Sequence, residues 1–364
     1  MNVDELDTPS VVIDIDVMRR NLDRMASYCR KYNLQLRPHT KTHKIPELAW
    51  QQLRSGADGI TVAKIGEAEV MAEAGIKDIL LAYPIVSPQK AQRLARLAER
   101  AQLAVSIDSE ESACAISIQA KEQGTSVGIL IEIDVGFHRC GVANEQAAIA
   151  LAEKVLSLPA LKFLGLMFYP GHLLTTLEQR RTLIGPINLL LDKTMDTLKQ
   201  KGIPVSVVSG GSTPTAYLSH EFHTLTEIRP GMYIFNDRNM VGAGVAQIHD
   251  CAAQVIVTVV STAVSGRVIT DGGSKTFSSD RFLAGDGRGF GLILEDHDAV
   301  FDAMSEEHGH LDITKSSRRY RLGERLTVIP NHVCSTINMH NEIYGISHRK
   351  VAQAWQVAAR GRVT

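Results

Sequence analysis

Apolar residues along this chain fall into short β-branched runs separated by longer stretches with helical spacing. Thr8 to Asp14 (T-P-S-V-V-I-D) is such a run and predicts a strand. Asp16 then stands where a helix would be capped, and Met18, Leu22, Met25 and Cys29 follow it at helical intervals. From there the alternation is regular. Strands are predicted at Leu34–Arg37, Gly59–Ala63, Ile79–Ala82, Leu103–Ile107, Val127–Ile133, Phe163–Phe168, Val205–Val208 and Tyr233–Phe235. Alanine- and leucine-rich helical stretches lie between most of them: Gly66–Ala74, Pro88–Ala98, Glu110–Gln123, Asn144–Leu158 and Glu178–Lys201. Eight strands alternating with helices over roughly two hundred residues predict a parallel sheet, closed into a (β/α)8 TIM barrel spanning residues 15–241.

The texture changes near Val241. Gln254–Ser261 and Gly266–Thr270 are β-rich with no long helix between them, and Arg325–Ile329 and Val351–Val357 read as further strands. Glycine-rich turns are expected at Asp271–Ser274 and Gly285–Gly291. The pattern predicts a second, all-β domain over residues 242–364, joined by the N-terminal strand 8–14.

Composition narrows the function classes. With 39 basic and 40 acidic residues among 364, the formal net charge is −1, so no global field recruits nucleic acid or an anionic membrane. The N-terminus is acidic and lacks an apolar core, unlike a signal peptide, and the longest apolar region, Ala252 to Val264, is too short to span a bilayer. Five widely spaced cysteines in a chain read as cytoplasmic argue against disulfides. Small-molecule chemistry is the expectation.

The stretch Arg37-Pro38-His39-Thr40-Lys41-Thr42-His43-Lys44 sits where the first barrel strand hands over to a helix. A desolvated lysine flanked by like charge has a lowered pKa and an amine free for Schiff-base chemistry. A charge run is more often a solvated loop, so Lys41 needs company. The C-terminal ends of later strands supply it, because barrel active sites form there. They carry Glu132-Ile133-Asp134-Val135-Gly136-Phe137-His138-Arg139-Cys140-Gly141, Tyr169-Pro170-Gly171-His172, Ser209-Gly210-Gly211-Ser212-Thr213-Pro214-Thr215 and Glu227-Ile228-Arg229-Pro230-Gly231-Met232-Tyr233. Gly210 to Thr213 offers backbone N–H groups and hydroxyls suited to cradling a phosphate. A lysine opposite a phosphate cup, with an aromatic and an arginine between, outlines a pyridoxal phosphate (PLP) site. Near the end, Pro330-Asn331-His332-Val333-Cys334 places His and Cys two apart, which on a strand would face one metal ion.

Together P-H-T-K-T-H-K, the G-x-A-E-V segment at Gly66–Val70, E-I-D-V-G-F-H-R-C-G, S-G-G-S-T-P-T and E-I-R-P-G-M-Y resemble the D-threonine aldolase/D-serine dehydratase family of alanine-racemase-like PLP enzymes. The resemblance runs nearly end to end. It implies a homodimer and a small D-3-hydroxy-amino acid substrate. It casts Lys41 as the Schiff-base lysine and puts Gly211, Ser212, Thr213, Gly231 and Met232 around the phosphate. Arg139 would reach the cofactor's phenolic side and Arg229 its pyridine nitrogen, while Tyr169 and His172 would flank the ring or handle protons. An arginine cannot give up a proton, so that nitrogen stays largely unprotonated and the ring is a weaker electron sink. His332 and Cys334 are similar to the metal pair of D-serine dehydratases. Thiolate plus imidazole suits zinc better than manganese or magnesium. The aldolases tend to have a carboxylate at the Cys334 position, so the pair tilts expectation towards dehydration over retro-aldol cleavage. An amino-acid racemase is the alternative. Alanine racemases carry a lysine where this chain has Glu132, and a tyrosine where it has Thr270-Asp271-Gly272-Gly273. Ser305-Glu306-Glu307-His308-Gly309-His310 is either an acid/base near the metal or a solvated turn. Lys44 is expected in solvent at the helix start, and His39 and His43 have no assigned role.

Overall fold

The structure, a computed structural model, describes residues 1–284 and 288–364. They form two compact units. One comprises Met25–Lys41, Pro46–Gly231 and Gly361–Thr364, the other Met1–Arg24, Thr42–Ile45 and Met232–Arg360.

The first unit is a TIM-like sheet of eight parallel strands in the order Gln35–Leu36, Glu227–Ile228, Val207–Gly210, Leu161–Phe168, Val127–Ile133, Gln102–Ile107, Asp78–Leu81, Ile60–Val62. A parallel bridge between His39 and Thr61 joins the two ends of that order, so the sheet curls back on itself. All seven positions of Val127–Ile133 are buried, as expected of a parallel strand covered on both faces. The intervening helices start and stop on local signals. Ser109 accepts from the Ser112 N–H to open Glu110–Gln123, and Gly124 closes it at φ +68°.

Two local expectations are corrected. The eighth strand is Glu227–Ile228, and Tyr233–Phe235 overlaps a short 3-10 turn, Met232–Ile234. Pro230 lacks an N–H and Gly231 turns the chain, so the ladder stops before that apolar triplet. The first long helix, Ile15–Lys31, is capped by Asp14 and not Asp16: the Asp14 carboxylate accepts from the Asp16 and Val17 N–H groups at 3.0 and 2.9 Å.

The second unit holds a sheet of nine strands among the described residues. Its main order is Val300–Met304, Gly309–Asp312, Arg267–Thr270, Ala253–Ser261, Ser10–Asp14, Glu342–Ser347, Lys350–Gln356. Arg325–Pro330 also pairs with Ala253–Ser261, and Gly291–Ile293 pairs with Arg325–Pro330. Ser10–Asp14 runs antiparallel to Ala253–Ser261 and parallel to Glu342–Ser347. Of the glycine-rich turn expected before Gly291, positions 285–287 lie outside the described residues. Among the described residues no helix is long and apolar enough to cross a membrane.

Candidate active site

Lys41 ends the barrel unit's first segment, in a one-turn 3-10 helix, Thr40–Thr42, just past the first strand. That turn is anchored from below. Thr40 Oγ1 bonds the Thr61 carbonyl and the Glu67 carboxylate, both at 3.1 Å, and the fully buried Glu67 also accepts from the Ala63 N–H at 2.8 Å. The Lys41 Nζ lies 5.9 Å from the centre of the Tyr169 ring, and the Arg139 guanidinium 4.5 Å from the same ring. Phe137 packs its edge against Tyr169 with centroids 5.4 Å apart. An electron-rich face therefore meets two cations.

His39 Nδ1 accepts the Lys41 backbone N–H at 3.4 Å. Burial, with the Lys41 and Arg229 charges, holds this imidazole well below its ordinary pKa, so it is neutral. Arg229 is buried and donates to Ser209 Oγ at 2.7 Å and to the Phe168 carbonyl at 2.9 Å. Burial pulls its pKa down to about 10 against the opposing pull of Glu227 and Glu132, which still leaves it charged at neutral pH. Burial raises the Glu132 pKa against Arg229 and Arg139.

The expected phosphate cup assembles from two loops. Gly211 takes φ +81°, Ser212 and Thr213 are buried, and the Gly231 N–H donates to Thr213 Oγ1 at 3.2 Å. Met232 follows Gly231 directly in the chain. The His172 ring lies over Gly136, and its buried Nδ1 has no hydrogen-bond partner among the described residues. Burial lowers its pKa as well.

His332 and Cys334 belong to the second unit. They do not share a strand. Arg325–Pro330 ends at its proline, His332 precedes the helix Val333–Met339, and Cys334 sits in that helix's first turn. The two side chains nevertheless meet by a hydrogen bond. Asp280 accepts from His332 Nδ1 at 2.9 Å, which orients the ring and leaves Nε2 as the nitrogen that Asp280 does not engage. Burial alone would lower the His332 pKa; the Cys334 and Asp280 charges overcome it and push it up to about 11. The Cys334 thiol donates to Thr42 Oγ1 at 3.3 Å, and Thr42 is the residue after Lys41. Other expectations do not join this group. Lys44 is buried with φ +58° instead of solvated, and His43 is fully buried with Nδ1 accepting the Ile45 N–H at 3.0 Å. Glu306, Glu307 and His308 are an exposed turn, with Glu307 paired to Lys275. Asp271, where racemases carry a tyrosine nearby, is occupied by Thr8 Oγ1 at 2.5 Å and the Thr258 N–H at 2.8 Å.

Residues 13–239 match the family of alanine racemase N-terminal domains, and residues 252–346 match a putative serine dehydratase domain. The chain is 31% identical to the D-threonine aldolase of an Arthrobacter species, over 98% of this chain and 93% of that one. It is 33% identical to the D-threo-3-hydroxyaspartate dehydratase of Delftia strain HT23, over 96% and 97%. The solved D-threonine aldolase of Filomicrobium marinum superposes with a TM-score of 0.93 at 30% identity, covering 99% of this chain and 98% of that one.

The chain belongs to the D-threonine aldolase/D-serine dehydratase family.

This is a PLP-dependent family of lyases acting on D-3-hydroxy-amino acids. The barrel rim fits that cofactor on its own geometry. An amine, a pair of guanidinium groups at different depths and a glycine-opened cup with two buried hydroxyl residues face the same strand ends. Among the described residues, no three His, Cys, Asp or Glu side chains gather as a metal cluster. Sequence reasoning gave no role to Glu67, Arg37, Glu227 or Asp280. The first three lie inside quoted segments without being singled out there, whereas Asp280 lies outside all of them.

Proposed function

We propose that this protein is a PLP- and divalent-metal-dependent lyase of D-3-hydroxy-amino acids, with Lys41 as its Schiff-base residue. The observation that carries the reading is the Lys41 amine over Tyr169, a ring shared with Arg139, above a buried Arg229. PLP, once bound, supplies an electrophilic carbon for the substrate amine and a sink for electrons released at Cα. Gly211, Ser212, Thr213, Gly231 and Met232 hold the phosphate. Arg229 would lie towards the pyridine nitrogen and, as a fixed cation with no proton to give, would leave it largely unprotonated. Arg139 holds the phenolic side, and Tyr169 flanks the ring.

Lys41 would hold the cofactor by its amine and, when that amine is free, would serve as the base for the α-proton. His172, uncharged at neutral pH and with an unsatisfied Nδ1, is a second acid/base. His332 Nε2 and Cys334 Sγ hold the metal, which supplies Lewis acidity towards the substrate's β-hydroxyl, with zinc favoured over manganese or magnesium. The cysteine ligand favours dehydration to a 2-oxo acid and ammonia over cleavage to glycine and an aldehyde. The reading includes a cytoplasmic homodimer, which sedimentation of the holoprotein checks.

Purified protein is incubated with D-serine, D-threonine and D-threo-3-hydroxyaspartate, with and without chelator, and 2-oxo acid, glycine and aldehyde are assayed. A 2-oxo acid formed only without chelator is expected. Activity unchanged by thorough chelation removes the metal role, and borohydride labelling at a peptide without Lys41 removes the central assignment.

A further inference from the structure

Behind Arg229 runs a line of polar and charged groups to which the reading above gives no role. Arg37 donates through Nε to Glu227 Oε2 at 2.6 Å, and through Nη1 and Nη2 to the two Asp78 oxygens at 2.6 and 3.2 Å. Glu227 Oε1 accepts from Ser209 Oγ at 2.5 Å, and Ser209 Oγ in turn accepts from Arg229 Nη1 at 2.7 Å. Ser209, Glu227 and Arg229 are 0%, 1% and 5% exposed. The line thus crosses from a partly exposed carboxylate, Asp78, to the fully enclosed Arg229.

The hydroxyl fixes the direction of this chain of bonds. Its single proton goes to Glu227, so its lone pair is what Arg229 meets. A buried guanidinium is costly unless it is hydrogen-bonded and charge-compensated. A direct pair with Glu227 would draw the guanidinium down to the carboxylate and consume its fork. The interposed hydroxyl keeps the compensating charge one group away. Arg37 fixes the Glu227 carboxylate in place through the 2.6 Å charge-assisted bond from its Nε.

We propose that Glu227, clamped by Arg37 and acting through the Ser209 hydroxyl, is the positioning residue that keeps the Arg229 guanidinium aimed at the cofactor. The proposal rests on the reading above, in which Arg229 faces the pyridine nitrogen. Without Ser209 or the Glu227 charge, Arg229 keeps its bond to the Phe168 carbonyl and loses the second point that sets its plane. The cofactor's electronic state then changes while substrate contacts stay in place.

The test uses holoenzyme. Ser209→Ala, which leaves both charges in place, and Glu227→Gln are compared with wild type by the visible absorption of the bound cofactor across pH, by kcat and KM, and by borohydride labelling. A shifted absorption maximum is expected, with kcat lowered about 10-fold or more and KM within about 3-fold, since the lost contact acts on the chemical step. Glu227→Gln risks misfolding because it strips Arg37 of its buried partner; Ser209→Ala then decides alone. Wild type labelled at Lys41, together with a Ser209→Ala spectrum and kcat indistinguishable from it, overturns the proposal and leaves the PLP reading standing. Wild type not labelled at Lys41 overturns both.

Discussion

At the scale of single residues, enclosure separates the members of the basic opening stretch in a way that a charge run does not reveal. Arg37 and Lys44 looked like solvated members of a charge run, yet Arg37 is clamped between Glu227 and Asp78, and Lys44 is buried. Glu227 lies 190 residues from Arg37, and no local pattern announces a pairing across that distance. The family, by contrast, was legible because the motif around Lys41 and those of four later segments follow one another in the family's order. His39 shows what enclosure does to titration. Its folded pKa is depressed by burial and by Lys41 and Arg229, whereas an unfolded histidine takes up a proton below about pH 6.5. The folded state therefore binds fewer protons, so its stability is complete above that pH and falls as the pH drops below it. The loss is at most about 1.4 kcal/mol per pH unit. Urea unfolding near pH 7.5 and pH 5.5 is expected to show a smaller stability loss for His39→Asn than for wild type. Equal losses would assign the slope to other groups.

At the scale of elements, length governed what could be read. Glu110–Gln123 matches its sequence bounds because fourteen residues carry a period, a serine cap and a glycine stop. Glu227–Ile228 and Gly291–Ile293 carry no period, so tertiary pairing alone defines them. The His332–Cys334 spacing was read on a strand, but Pro330 ends that strand first; the two side chains meet across a helix start instead. Close strand approach is equally invisible in sequence. Gly165 has φ +146°, and a Cβ there would lie 2.0 Å from the Val207 carbonyl oxygen and 2.9 Å from the Val205 side chain. Backbone cannot yield there as a flexible side chain would. Gly165→Ala is expected to destabilise the barrel by about 3 kcal/mol or more. Thermal unfolding checks it, and a melting temperature within a degree or two of wild type, a shift of well under 1 kcal/mol, would falsify the account.

At the scale of the whole molecule, the two compact units are not two successive pieces of chain. The polypeptide passes between them at Arg24, Lys41, Ile45, Gly231 and Arg360. The alternating pattern made the barrel legible as a repeat, and the loss of that pattern near Val241 marked where β structure takes over. Interleaving has no such signature, because it depends on which edges remain open after local elements form. Ser10–Asp14 makes the consequence testable. Its positions 10–13 are buried, and it fills the place between Ala253–Ser261 and Glu342–Ser347. Removing residues 1–14 would leave both neighbours with unpaired N–H and C=O groups in the interior of a sheet, and Val11, Val12 and Ile13 would vacate its core. Burying each such side chain is worth about 1.5–3 kcal/mol, so their joint loss rivals the whole stability of an ordinary domain. The truncated chain is therefore expected to be insoluble or to lack the β signal of the full chain by circular dichroism. Adding a separate peptide of residues 1–14 is expected to restore part of that signal, because the vacated slot offers one antiparallel and one parallel partner in fixed register. A truncated chain with full β content and an unchanged melting temperature would show that the sheet closes without its first strand.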